Sequence, residues 1–330
     1  MEKKKQKTTV KEIKDIIPDI TKIEQLCEKN SALIHASNIR TKAIDCANDE
    51  DSHNKIEKLN ILIPQYLAYV REQNKISLGK NNCTSDDLYK TLKNTIDSNI
   101  KKRVKLLNQY YQFFEENKIE SKQGFDSRSK IRSTILEEFM YFLFKDFVNI
   151  LLKESGMKKN VIKNGSIDAY SNLYFTASDI KKFIQVPSIE INSKRQDYAI
   201  YREVDISIKN AMKSKQTANI PLLAIENKTF LDKTMLEGAI STAEKIKMGA
   251  PYSIYIVATE TYAVKFEVDP VYSRIDQIFV LRKCRQNKNN RLPQPINEDV
   301  VKSMFWYVVQ KLLRPWSAIE KKLSESGTII

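Results

Sequence analysis

The residues best placed to do chemistry are Glu226 and Lys228. They stand two apart at the end of the run IPLLAIENKT, residues 220–229. Five apolar residues around Pro221 lead straight into them, a pattern that reads as a strand buried on both faces. Side chains alternate along a strand, so Glu226 and Lys228 share a side. A carboxylate and an ammonium at the end of a buried strand are costly unless each has a partner. One reading is an ordinary E-x-K pair where the strand end meets solvent. The other is a site. A second carboxylate on a neighbouring strand would let the pair hold Mg²⁺ through oxygen, leaving room for water and a phosphate oxygen. Such an ion lowers the pKa of an attacking water, and a lysine beside it can orient or deprotonate that water. The chemistry suggested is phosphodiester hydrolysis.

Two aspartates upstream compete for the second ligand, Asp197 and Asp205. A hairpin pairing Asp205 with Glu226 centres near residue 215, in the middle of the polar loop. Pairing Asp197 with Glu226 needs a tighter turn near residue 212, or a bulge. Glu203 reads as a solvated strand residue. A further carboxylate could come from the apolar helix beginning at Ser129, which carries Glu137 and Glu138 in its middle. They are either a narrow polar strip shared with Thr134 and Lys145, or include a carboxylate lent to a metal site.

Composition narrows the alternatives. The 330 residues suffice for a full core and two domains. A net charge of +14 and a pI near 9.3 suit a polyanion, although a Lys- and Asn-rich bias alone would give the same balance. Only two histidines occur, His35 and His53, both in the N-terminal third, which speaks against histidine-based nucleases and hydrolases. Seven glycines leave no room for a P-loop or GxGxxG turn. Catalysis would therefore rest on carboxylates, lysines and a hard metal. Cys27, Cys46, Cys83 and Cys284 are too scattered for a zinc site or disulfide framework, which fits a cytoplasmic protein. No stretch spans a membrane, and the N-terminus lacks the apolar segment of a signal peptide.

The elements that must position these residues follow from periodicity. Residues 1–120 read as a helical region for DNA binding or dimerisation. Helices are expected at 10–17, 21–30 and 58–72 (with Pro64 as a kink or second start) and in a long run capped by Ser85. That run has an apolar stripe from Leu88 to Phe114. Its other face holds Lys90, Lys93, Lys101, Lys102, Arg103 and Lys105, either a solvated surface or a phosphate-contacting one. The segment 120–129 reads as the boundary, with a second domain over 121–330. There the order is an apolar helix, a polar stretch over 153–166, strands over 183–192 and 194–208, and the E-x-K strand. A helix over 234–248, strands near 252–258 and 278–281 and a helix over 300–323 kinked at Pro315 follow. Strand, helix and strand in that order imply a mixed sheet flanked by helices. The basic turn 282–291 places Arg282, Lys283, Arg285, Lys288 and Arg291 among asparagines, side chains suited to DNA, though also to a flexible surface loop.

The motifs QDYAIY (196–201) and AIENKT (224–229) resemble the PD-(D/E)XK nucleases, with Gln196 where the signature has proline. The run ENKTFLDKTMLEGAISTAEKIKMGAPYSIYIVATETY (226–262) is similar to the BbvCI-like type II restriction endonucleases. SRSKIRSTILEEF (127–139) resembles the first helix of their catalytic domain. The resemblance covers roughly residues 127–285. It implies an α/β (α+β) restriction-endonuclease-like fold and a Mg²⁺-dependent, site-specific endonuclease subunit of a restriction–modification system. Double-stranded DNA would be the substrate, with a second nuclease subunit or a second copy as partner. Asp197 (or Asp205) and Glu226 would be metal ligands, and Lys228 would be catalytic with Glu137 in support. A repair nuclease of the same fold, a silent DNA-binding relative and a plain interaction protein remain as alternatives.

Overall fold

The computed structural model describes residues 10–49, 51–78, 84–156, 161–212, 215–265, 269–285, 294–314 and 324–325. The N-terminal third forms six helices: α1 (Val10–Ile16), α2 (Ile20–Lys29), α3 (Ile34–Ala47), α4 (His53–Lys75), α5 (Ser85–Lys90) and α6 (Lys93–Glu116). Helix α4 is continuous through Pro64. The long helix expected from Ser85 is instead two. Thr84, not Ser85, is the N-cap, in a capping box with Asp87, and the chain breaks after Lys90 before α6 resumes. The apolar stripe survives the break: Leu88, Ile96, Ile100, Val104, Leu107, Tyr111 and Phe114 are all buried.

Helix α7 (Ser133–Glu154) is the central element. It is apolar almost all round and packs the N-terminal helices on one side and the sheet on the other. The core cluster runs from Ile13 in α1 through α7 to Val309 in the last helix. One core cluster therefore includes residues on both sides of the turn near residue 120. The adjacent carboxylates of α7 diverge. Fully buried Glu138 accepts hydrogen bonds from the backbone N–H groups of His35 and Ala36, at 3.0 and 3.3 Å, and from the Tyr66 hydroxyl. It thereby caps the N-terminus of α3, where a carboxylate is favoured. Burial pushes its carboxyl up to about 8 and holds the His35 imidazole down at about 3. That neutral ring joins Thr134 to Tyr110. Successive residues on a helix point about 100° apart, so Glu137 faces elsewhere.

Among the described residues the sheet has five strands in sequence order: β1 (Ile162–Thr176), β2 (Ser188–Ser207), β3 (Lys215–Leu231), β4 (Ile254–Tyr262) and β5 (Gln277–Val280). The first three run antiparallel, and β3, β4 and β5 are parallel. Helix α8 (Ile180–Gln185) joins β1 to β2, α9 (Lys233–Gly249) crosses from β3 to β4, and α10 (Glu298–Leu313) follows β5. Leu223, Ile225, Ile256 and Ala258 face the α7 side, while Ala224, Tyr255 and Val257 face α9. Strand β1 begins within the polar stretch expected at 153–166 and runs on to Thr176, where no element was expected. It is an edge strand with two register shifts and mostly polar side chains, so it lacks a buried strand's apolar signal. The strand expected from Phe183 begins only at Ser188, because 180–185 turn as α8. Pro315, the expected kink, lies outside the described residues. Among the described residues no helix is long and apolar enough to cross a membrane.

Candidate active site

The β2–β3 register places the two aspartates at different distances from Glu226. Tyr198 pairs with Ile225, so the next opposed pair is Asp197 with Glu226. The hairpin turns between Ser207 and Lys215, tighter than a turn centred on residue 215 would be. A register shift lies beside Ile200 and Tyr201, opposite Pro221, where a proline is tolerated because the ladder is interrupted. Asp205 instead pairs with Thr217, is exposed and accepts a hydrogen bond from the Thr217 hydroxyl at 2.9 Å. That position lies towards the far end of the hairpin from Glu226. Glu226 lies nine positions along β3 from Thr217, about 30 Å of extended chain.

Asp197 and Glu226 open on the same side of the hairpin. Asp197 Oδ2 accepts a hydrogen bond from the Asn227 backbone N–H at 2.7 Å. Lys228 Nζ lies 2.6 Å from Glu226 Oε1. Glu137 reaches the same cluster from α7. Burial first, and then the charge of Asp197, raises its carboxyl well above the usual range. Burial and Glu226 do the same to Asp197. Burial would lower Lys228, but Glu226, Asp197 and Glu137 outweigh it and hold the ammonium protonated. Crowded, partly desolvated carboxylates of this kind are what a functional site accumulates.

Neighbouring carboxylates disfavour the ionisation of Glu137 and Asp197, and a divalent cation beside them would relieve that repulsion. Among the described residues no three His, Cys, Asp or Glu side chains form a ready cation cage. Mg²⁺ does not need one: it is commonly held by one or two carboxylates, water and substrate phosphates. The donor set fits such an ion, with Asp197 and Glu226 as the residues that would hold it.

Two contributors escaped the sequence reading. Lys130, exposed and left-handed at φ 58° just before α7, lends its positive charge to both Glu137 and Asp197. A lysine in a polar boundary segment carries no signal of this. The second is a buried ionic knot at the end of β4. Glu260 accepts from Arg282 Nε at 2.9 Å and from the Tyr111 hydroxyl at 2.9 Å, and pairs with Arg132 at 3.4 Å. The Tyr111 ring has both guanidiniums at 5.1 Å from its centroid. Arg282 is thus turned into the protein and consumed by structure, not offered to DNA as its place in the basic turn suggests. Lys283 and Arg285 are exposed, with Arg285 donating to the Val264 carbonyl. Lys288 and Arg291 lie outside the described residues. On α6, Arg103 is buried and donates to the carbonyls of Gln73 and Ile76. Lys101, Lys102 and Lys105 remain exposed, and Lys101 and Lys105 line a cleft of about 770 Å³ that Lys283 also lines.

The profile of the Bpu10I restriction endonuclease family matches residues 128–299, more than half of the 330-residue chain. The chain belongs to the Bpu10I restriction endonuclease family. It is accordingly a type II site-specific endonuclease, and the matched span includes all four residues of the cluster. Among solved structures it is similar to the native BbvCI A2B2 tetramer. The two share 21% identity at a TM-score of 0.60, over 86% of this chain and 96% of the other. At that identity the likeness establishes the fold alone. No curated protein sequence matches the chain significantly.

Proposed function

We propose that this Bpu10I-family chain is one subunit of a Mg²⁺-dependent enzyme that cuts double-stranded DNA at a short recognition site, and that it supplies the site for one strand. The observation that carries this reading is the convergence of Glu137, Asp197, Glu226 and Lys228 from one helix and two paired strands. When bound, the ion would polarise the phosphate and lower the pKa of a water. The chain's own residues do the rest. Asp197 and Glu226 fix the anionic pocket, and the Asn227 N–H holds Asp197 in place. Lys228, protonated beside Glu226, presents a cation to the phosphate and orients the attacking water. Glu137 holds a proton that the arrival of positive charge would release. Lys283, Arg285, Lys288, Arg291 and the α6 lysines supply positive charge for the DNA backbone.

The BbvCI assembly contains two copies of each of two unlike subunits, and we carry that organisation to this chain. One PD-(D/E)XK site hydrolyses one strand, and the cluster occurs once among the described residues. Plasmid incubated with Mg²⁺ and the enzyme containing both subunits should give discrete fragments. With Glu226→Ala in this chain and the partner intact, the plasmid should be nicked in one defined strand. Cleavage of both strands by that variant complex would refute the one-site assignment.

A further inference from the structure

The face of the sheet turned to α9 is packed with small and aliphatic side chains, Ala224, Leu236, Ala243 and Val257 among them. Tyr255, the second residue of β4, brings a polar group into this layer and is fully buried there. Its hydroxyl is enclosed and has no hydrogen-bond partner of normal geometry among the described residues. The Thr242 side chain of α9 lies beside it, but that hydroxyl donates to the Gly238 carbonyl at 2.9 Å. A buried phenol ordinarily finds a partner, and leaving one unmet is unfavourable. As packing alone, phenylalanine would serve this position better. The tyrosine is also held firmly. Its N–H donates to Asp276 Oδ2 at 2.7 Å, and its carbonyl accepts the Asp276 N–H at 2.8 Å.

The register shows what the ring is held against. Tyr255 opposes Ala224, and Val257 opposes Glu226. Side chains alternate along β3, so Ala224 and Glu226 share the face that Tyr255 occupies. Neighbouring strands lie about 4.8 Å apart and rise about 3.3 Å per residue. The Cα atoms of Tyr255 and Glu226 are therefore about 8 Å apart, within reach of two long side chains. Burial first, and then the charges of Glu226 and Asp197, hold the phenol protonated, so it can only donate to a carboxylate.

We propose that Tyr255 is a positioning residue of the active site, its hydroxyl donating to the Glu226 carboxylate from the α9 side and holding it in the orientation that ligates a divalent cation. This role rests on the metal-dependent nuclease reading above. Lys228 restrains Glu226 at Oε1 alone. A second donor, from another direction, would stop the carboxylate from turning about that one contact. Carboxylates that ligate metals are themselves hydrogen-bonded, and losing such a partner lowers metal affinity or activity about 10–100-fold. The small side chains around the ring leave the hydroxyl free to serve the site, not the core.

The test compares wild type, Tyr255→Phe and Glu226→Ala, each as the full chain, by calorimetric Mn²⁺ titration and by thermal melting in EDTA. Tyr255→Phe removes one oxygen and keeps the ring. It should melt in EDTA at or above the wild-type temperature, because no hydrogen bond within the fold is lost. Its Mn²⁺ affinity should nonetheless fall about 10–100-fold. In the enzyme containing both subunits, the Mn²⁺ concentration for half-maximal cleavage of the strand this chain serves should rise by a similar factor. A packing role moves neither metal readout. Wild-type Mn²⁺ affinity in Tyr255→Phe, beside a much weakened Glu226→Ala, overturns the role of Tyr255 and leaves the nuclease reading standing. So does a Tyr255→Phe melting temperature well below wild type, which would show the hydroxyl spent inside the fold. Wild-type Mn²⁺ affinity in Glu226→Ala, or no Mn²⁺ binding by the wild type, would overturn the metal site and this role with it.

Discussion

The Asp197 carboxylate accepts the backbone N–H of Asn227 at 2.7 Å, and Asn227 is the residue between Glu226 and Lys228. One hydrogen bond therefore ties the carboxylate of β2 to the peptide that carries the E-x-K motif of β3. The arrangement makes Asp197 replaceable in shape but not in charge. Asp197→Asn keeps an acceptor for that N–H and should fold normally. Its cleavage rate should fall at least about a hundredfold, the scale of losing one electrostatic contact to a transition state. Asp205→Ala, on the far hairpin, should cut at the wild-type rate. Equal losses in the two would mean that the β2–β3 register assigned here is not the working one.

Lys228 is held protonated by three carboxylates, so its first contribution is positive charge at one point. Lys228→Ala should remove nearly all activity. Lys228→Arg should recover only part of it, because a planar fork does not place its charge where a compact ammonium does. Full activity with arginine in single-turnover assays would show that any cation suffices.

Glu138 and Glu137 both make stability depend on pH, and the one at the active site is Glu137. Its folded-state pKa, about 8, lies above the ordinary carboxylate value. Between those two values the folded state binds more protons than the unfolded one, so stability declines as pH rises through that window. In EDTA the melting temperature should fall from pH 5 to pH 8. Glu137→Gln should flatten that decline and raise the melting temperature at pH 8, while impairing cleavage. An unchanged decline in the variant would show that Glu137 is ionised throughout.

Arg282 and Lys283 are neighbours with opposite expectations. Arg282→Ala leaves Glu260 with one fewer buried partner and should cost about 3 kcal/mol in urea unfolding. Lys283→Ala should change stability by less than about 0.5 kcal/mol. It should instead lower the slope of log affinity for DNA against log salt by up to about 0.9, the value of one phosphate contact. A stable Arg282→Ala protein with weakened DNA binding would return Arg282 to the DNA surface.

Gly249 ends α9 where a Cβ would stand 2.1 Å from the Ser171 carbonyl oxygen of β1. Gly249→Ala must push helix and strand apart and should destabilise by about 1–3 kcal/mol. An unchanged urea midpoint would mean that the two elements separate without cost.

Much of the site was legible in the sequence because it is local. Glu226 and Lys228 share a strand face through simple alternation, and the apolar run before them could only be a buried strand. The family resemblance added Asp197. Helices α2 and α9 and strands β4 and β5 emerged close to their expected limits, since their periodicity reflects burial directly. Strand β1 did not, because an edge strand may be polar on both faces, and α5 and α6 were fused because the apolar stripe continues across their break. Helix α3 was not anticipated at all. Its N-terminus is capped from α7 by Glu138, 102 residues away from Ala36 in the chain.

What the sequence determined alone was composition, the strand-borne E-x-K pair and the class of chemistry those residues permit. Only the tertiary structure decided which carboxylates meet. It turned Glu137 toward Asp197 and Glu138 toward His35, although the two are neighbours on one apolar helix. It drew Arg282 inward onto Glu260 and left Ile180, Phe183 and Ile184 outside. The physical reason is the same in each case. Register, helix rotation and burial are set by contacts between segments far apart in the chain, and no local pattern records them.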